Sequence, residues 1–512
     1  MYKVWSSAVN VVCLDWISYM KKDINNSPSV SGNYLLNTLV SILGLIVPLI
    51  TTPYISRTLG AEAIGTYNYC YSIEMYFAAM GQMGVPIYAR REIAKARNNP
   101  LRLNQVYCEL LTLQLGCVFT AMVVYLAAIQ FMRESFRLMF LICGIEMVTN
   151  LFNVSWLFIG LEDFKSIAKR DIVFRLLNVL LVFTVVKKPE DISKYAFSMM
   201  FTGLLCSLFL FVLAGKRIKF AFASFKKTFH HLRPALLLML PGMVTIIYAV
   251  IDSTMIGTIT GDMAQVGYYE QSQKLVKVAL AILTSMGTVL LPRLSALFGQ
   301  QDMVQFKSFI MKAVSAICFI AIPLAVGYIA VSDDVVPWFY GEGYDYNRSL
   351  LKVFAPMMIF MGISDLVGSQ IFVATNREYK LLLINIVSVA VNFGLNLLLI
   401  PKYLALGAAA ATVISEFLKC AMSMYVSRKF ISSAQFVRDI VKYGIASGVM
   451  YVVVVMVRHA LPVVNTVFST ALMAFSGVSV YVVLLALVKD PWILRGAGMI
   501  KKFIYKFLPN KY

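Results

Sequence analysis

Apolar runs of about twenty residues, one after another and separated only by short charged or Pro/Gly/Asn-marked breaks, constrain this chain more than any other feature. A spanning helix needs roughly 20 apolar residues, and the runs fall at 33–55, 66–88, 105–130, 137–160, 171–187, 195–214, 232–258, 266–291, 308–331, 350–374, 380–400, 405–427, 440–458 and 466–488. Charged residues make up 14% of the 512, against about 25% in soluble domains, and the mean hydropathy is +0.75. The expectation is an all-α, polytopic membrane protein of fourteen transmembrane helices.

The net charge of +20 does not indicate nucleic acid, because its distribution follows membrane topology. With the N-terminus inside, 32 Lys and Arg fall in or beside internal segments and 10 beside external ones, and Arg175, Lys274, Lys277 and Lys419 lie within spans. This is the positive-inside pattern. The richest internal loops are R-R-E-I-A-K-A-R (Arg90 to Arg97) and Lys216 to Lys227, and the longest external loop, Ser332 to Tyr346, is acidic. Both termini are therefore expected in the cytoplasm. The eight cysteines sit almost all in apolar runs without a C-x-x-C pair, and His230, His231 and His459 join no metal-ligand cluster, so no cofactor or metal is expected. Residues 1–30 read as a leader in which Met1 and Met20 compete as the start.

One pattern recurs. G-T-Y-N (Gly65 to Asn68) aligns with G-Y-Y-E (Gly267 to Glu270), and M-G-Q-M-G-V-P (Met80 to Pro86) with M-G-T-V-L-L-P (Met286 to Pro292), the separation drifting from 202 to 206 residues. Each copy lies on the second span of a six-span unit, which divides the chain into 31–231 (spans 1–6), 232–430 (spans 7–12) and 431–512 (two more spans and a basic tail). Such parallel repeats place a site between the halves near the bilayer midplane. On this reading Tyr67 and Tyr268 belong to an interfacial aromatic belt, and Glu74 and Lys274 to the cavity.

S-G-N-Y-L-L-N-T-L-V-S-I-L-G (Ser31 to Gly44) and P-Y-I-S-R-T-L-G-A-E-A-I-G-T-Y-N (Pro53 to Asn68) resemble the start of Wzx-type polysaccharide flippases of the multidrug/oligosaccharidyl-lipid/polysaccharide superfamily. The likeness continues at L-P-R-L-S-A-L-F-G (Leu291 to Gly299), F-Y-G-E-G-Y (Phe339 to Tyr344) and N-L-L-L-I-P-K-Y-L-A-L-G-A-A-A-A-T-V-I-S-E (Asn396 to Glu416). The resemblance implies two six-helix lobes around a central cavity plus two extra helices. It also implies undecaprenyl-pyrophosphate-linked oligosaccharide as cargo, moved from the cytoplasmic to the periplasmic leaflet of the bacterial inner membrane. A polysaccharide polymerase and a chain-length regulator would be its pathway partners.

A charge inside a span costs roughly 3 kcal/mol and marks a pathway by default. A pyrophosphate cargo suits cationic lining, so Lys419, Lys274, Lys277 and Arg175 are cavity candidates with Glu74. Glu416 shares a helical face with Lys419. Asp252 follows L-P-G (Leu240 to Gly242), whose proline should kink or unwind span seven, and with Glu416 and Asp365 it is a candidate for cation or proton coupling or for a hinge. Arg57 and Arg293, at opposite span ends, read as gates. Two other classes stand beside this one: a membrane polymerase or glycosyltransferase, and a drug/cation antiporter of the same superfamily. A G-x-x-x-x-G-K-[ST] phosphate loop is absent from the sequence.

Overall fold

A computed structural model describes residues 28–219, 221–461 and 466–495. Among the described residues the chain is helical and has no strand. The order is α1 (Pro28–Gln82), α2 (Val85–Ala96), α3 (Pro100–Ile129), α4 (Glu134–Cys143), α5 (Ile145–Phe152), α6 (Ser155–Gly160), α7 (Phe164–Val185) and α8 (Ile192–Arg217). There follow α9 (Phe225–His230), α10 (Leu232–Thr260), α11 (Met263–Gly299), α12 (Met303–Phe339), α13 (Tyr346–Phe354), α14 (Met357–Ser364), α15 (Ile371–Ala374), α16 (Glu378–Val426), α17 (Ser433–Ala460) and α18 (Val467–Leu487).

All fourteen apolar runs are helical, yet the helices do not separate where the runs do. Among the described residues nine helices or helix runs are long and apolar enough to cross a membrane. Two of the helical segments hold two runs each. α1 turns a corner at Gly60 (φ 79°, ψ 169°) and α16 at Leu404 (φ 55°, ψ −133°). Glycine takes that backbone freely. Leu404 is a β-carbon-bearing residue there, which is why no turn signal marked the position.

Helix ends otherwise follow the sequence. Asn99 caps α3 through the amides of Leu101 and Arg102, Asp163 caps α7, and Asp262 and Asp302 cap α11 and α12. The fourth apolar run breaks into α4, α5 and α6. At the break between α5 and α6, Gln114 donates to the carbonyls of Asn150 (2.8 Å), Leu151 (3.3 Å) and Asn153 (3.2 Å) and accepts from the Trp156 indole at 2.7 Å. One buried amide thereby satisfies backbone groups that an unbroken helix would satisfy itself.

Several expectations are corrected. The second run ends at Gln82, and beyond Gly84 (φ 70°) the basic stretch Arg90 to Arg97 is mostly the helix α2, with Val85, Ala89, Ile93 and Ala96 buried. The stretch Ser332 to Tyr346 is not one loop, because α12 runs on to Phe339 and leaves only 340–345 outside helices. There Asp333 pairs with Lys352 (2.7 Å) and Arg458 (3.3 Å), and Asp334 with Arg458 (3.3 Å). α10 stays helical through Pro241 and is not unwound. Tyr67 is buried against Tyr71 and Tyr195, in the interior and not on a belt.

The apolar cores separate into clusters. One collects α10 to α18, including Tyr443, Met450, Met473 and Tyr481 of the last two helices, and the other two collect α1 to α8 together with Ala235. α17 and α18 are fastened to the second bundle at both ends. Arg458 holds Asp333 and Asp334 of α12 at one end; at the other, Tyr443 of α17 and Trp492 beyond α18 both lie 3.3 Å from Ser315 Oγ of α12, while Lys442 ties α17 to Asp490 after α18. The leader up to residue 27, with Met20, and the basic tail from residue 496 lie outside the described residues.

Candidate functional site: the seam between the two bundles

The two copies of the repeat meet each other. A Cβ built on Gly65 would lie 1.7 Å from the carbonyl oxygen of Met263, and one built on Gly267 would lie 2.0 Å from that of Ala61. Met263 stands to Gly267 as Ala61 stands to Gly65, four residues before it and at the same separation of 202. The contact is therefore isologous, each copy offering the same backbone to the other around a pseudo-two-fold axis. Only glycine at both positions permits this approach.

Polar side chains extend the seam on both sides. Gln271 donates to Ser56 at 2.7 Å, Ser72 bonds Thr254 at 2.9 Å, Tyr76 donates to Thr254 at 3.2 Å, and Tyr69 meets Thr258 at 3.3 Å. Arg57 reaches across to the Trp338 carbonyl and packs on Gly341. The polar, tyrosine-rich character of the repeats is thus consumed largely in joining the halves.

A second polar assembly lies inside the second bundle. Asp252 is buried and accepts from Tyr269 (2.6 Å) and Thr412 (2.9 Å) on one oxygen and from Asn396 (2.6 Å) on the other. Asn396 also donates to Asn392 (3.2 Å), and Gln273 to Tyr269 (3.3 Å). Three helices, α10, α11 and α16, converge on one carboxylate. Sequence reasoning found Asp252 but missed Asn392, Asn396, Thr412 and Tyr269. The visible signal was the pair of asparagines four residues apart in an apolar run, which share a helical face.

Toward the other end of α16, Glu416 is fully buried and accepts from Tyr248 at 2.6 Å through Oε1. Lys419 lies 3.5 Å from that same oxygen and 5.5 Å from the Tyr248 ring centre. Among the described residues Lys419 donates no hydrogen bond, and its side chain is 19% exposed. Asp365 lies within the electrostatic reach of Lys419. It opens a π-helical turn, 365–370, between α14 and α15, and a Cβ on Gly287 would come within 2.9 Å of its Oδ2 and 2.7 Å of Gln370 Nε2. π turns insert one extra residue and re-aim side chains, often at functional positions. The structure thus brings Lys419, Glu416 and Asp365 together.

The remaining candidates stand elsewhere. Lys274 is half-buried one turn after Glu270, which accepts from Ser253, and Lys277 is exposed. Glu74 is fully buried inside the first bundle among Cys70, Tyr71, Tyr125 and Cys143, with no hydrogen-bond partner among the described residues, and it does not meet Lys274. Arg175 donates to the Val40 carbonyl (3.3 Å) against Gly44, so it is engaged within its own bundle. Arg293 stacks on Phe309 at 5.1 Å.

Comparison with known proteins agrees with this architecture. The chain is 23% identical over 391 residues to a putative O-antigen transporter of Shigella dysenteriae, covering 75% of this chain and 97% of that one. Its fold is similar to that of the lipid II flippase MurJ in an inward closed conformation (15% identity, TM-score 0.64, 89% of this chain and 98% of that one). It is also similar to the inward-facing form of a multidrug resistance MATE family transporter of the MOP superfamily (14% identity, TM-score 0.62, 76% of this chain and 94% of that one). The model of the polysaccharide biosynthesis protein family matches residues 30–298, more than half of the 512, and this chain belongs to that family.

Proposed function

We propose that this protein is a flippase that carries undecaprenyl-pyrophosphate-linked oligosaccharide from the cytoplasmic to the periplasmic leaflet of the bacterial inner membrane for surface polysaccharide. It would act by alternating access and without an enzymatic step, crossing the membrane fourteen times with both termini in the cytoplasm. The named relatives, the family and the two-bundle fold support this reading. A polymerase and a chain-length regulator are its proposed pathway partners. No cofactor enters the proposed cycle.

The observation that carries the site is the state of Lys419. Glu416, its only ion-pair partner among the described residues, already holds the Tyr248 hydroxyl on the oxygen nearest the ammonium. At 3.5 Å the ammonium pairs with that oxygen without donating a hydrogen bond to it, so its donors are available, and an ammonium in a site less polar than water attracts a phosphate strongly. Lys274, Lys277 and Arg175 are proposed as secondary cationic positions. Asp252, with Asp365, is proposed as the coupling centre, since Asp252 ties three helices to one titratable group. Arg57 and Arg293 are proposed gates, and Glu74 a buried acid of the first bundle.

The test is surface polysaccharide in a strain lacking its own flippase. Lys419→Ala should abolish it while the protein reaches the membrane, with lipid-linked repeat units accumulating, and Lys419→Arg should retain a good share. Parental activity in Lys419→Ala, or restoration by adding Glu416→Ala, would show the pair to be structural only.

A further inference from the structure

The bundles also touch at the end opposite the Gly65–Gly267 crossing, through a different device. His231 immediately precedes α10, the first long helix of the second bundle, and its ring is buried. Its Nε2 lies 2.9 Å from Glu109 Oε2 on α3, and its Nδ1 lies 2.9 Å from the Tyr88 hydroxyl on α2. Gln105 donates to the other Glu109 oxygen at 2.9 Å. One turn further on, the backbone of α10 lies against Gly84, where a Cβ would stand 2.4 Å from the Ala235 carbonyl oxygen. The segment leading into His231 is pinned to the same helix: the Ala221 amide donates to Cys108 Sγ (3.4 Å) and the Ala223 amide to Thr112 (3.2 Å).

We propose that Tyr88–His231–Glu109 is a latch that holds the start of α10 on the first bundle and releases when the bundles part at that end. Three features support a latch over incidental packing. Two of the residues come from separate helices of one bundle, and the third stands at the entry to the other. The bond to Glu109 is charge-assisted when the ring is protonated and neutral–ionic otherwise, so it is among the stronger kinds in either state. The partners are also matched to both ring states. Neutral imidazole donates to Glu109 and accepts from Tyr88, whereas imidazolium donates to both, because a phenol hydroxyl serves either role. Glu92 and Lys227 are the other charges that act on Tyr88 and Glu109, and they are of opposite sign. Both ring nitrogens thus keep a partner in either ring state, so movement of α10 is the cue that opens the latch.

That this end is the cargo entrance rests on the flippase reading above, but the latch is testable without cargo. Amide hydrogen exchange on the purified full-length protein in nanodiscs would compare the first turns of α10 with residues 61–67 at the opposite seam. In His231→Ala, exchange over residues 234–243 should rise about tenfold, the factor expected for one charge-assisted bond, with 61–67 unchanged. The exchanged pair Glu109→His with His231→Glu should recover most of the protection. Unchanged exchange at 234–243, or an equal rise in both segments, would overturn the latch. Failure there leaves the transport reading intact, because Lys419 is tested by a separate phenotype.

Discussion

Replacing Gly65 with alanine places a methyl carbon where the structure has 1.7 Å to the Met263 oxygen. A carbon–oxygen contact across packed helices settles at about 3.3 Å or more, so the two backbones must part by about 1.5 Å. Gly267→Ala requires a similar movement, from 2.0 Å to the Ala61 oxygen. Forced overpacking of this kind costs about 1–3 kcal/mol, and that cost falls only on the conformation in which the repeats touch. The population should therefore shift toward the state parted at this seam by about 5-fold to 150-fold. A cysteine placed at Thr258, bonded across the seam to Tyr69, and probed with a membrane-impermeant maleimide would report the opening as a faster labelling rate. The two substitutions act on one contact, so their double mutant should open the seam little more than either alone. Gly444→Ala is the control, since a Cβ there meets nothing within 4 Å. Unchanged labelling in Gly65→Ala, or full additivity of the pair, would refute the isologous seal.

Tyr248→Phe removes the hydroxyl that occupies Glu416 Oε1, so Lys419 should close on the carboxylate and surface polysaccharide should fall several-fold, recovering when Glu416→Gln is added. Arg458→Ala leaves Asp334 buried without its cation, which costs about 3–5 kcal/mol for a buried pair, and should lower the thermal midpoint by several degrees without touching the seam. A reporter fused after Tyr512 should be active as a cytosolic protein and inactive as a periplasmic phosphatase; the reverse would remove the fourteen-crossing topology.

The repeat was legible because glycine is a rare requirement in an apolar chain, and the alignment of Gly65 with Gly267 proved to be a physical contact. Helical segments were legible from length alone. What the sequence hid were the features that depend on neighbours. Leu404 carries no turn chemistry, and its corner is imposed by the packing of the two halves of α16, where Gly407 approaches the Leu399 carbonyl. Tyr67 looks the same on a belt as in a core, and only its packing, stacked on Tyr71 and edge-on to Tyr195, decides between them. Lys419 was found because a charge in a span is conspicuous. That Glu416 also holds the Tyr248 hydroxyl on the oxygen nearest Lys419 was not legible, since Tyr248 comes from a helix about 170 residues earlier. Asn392 and Asn396 were passed over because uncharged polar residues in a long apolar helix stand out little against their surroundings.

The two clamps on α17 have a mechanical meaning. Tyr443, bonded to Ser315, and Arg458, bonded to Asp333 and Asp334, are fifteen residues apart, about 22 Å along a helix. A rod held at one point can swivel, whereas a rod held at two points so far apart transmits every tilt of its support. The last two helices are therefore ballast bolted to one half of an otherwise matched pair. The half that carries them meets more drag from the lipid, so in the bilayer frame the unburdened first bundle should sweep the wider arc.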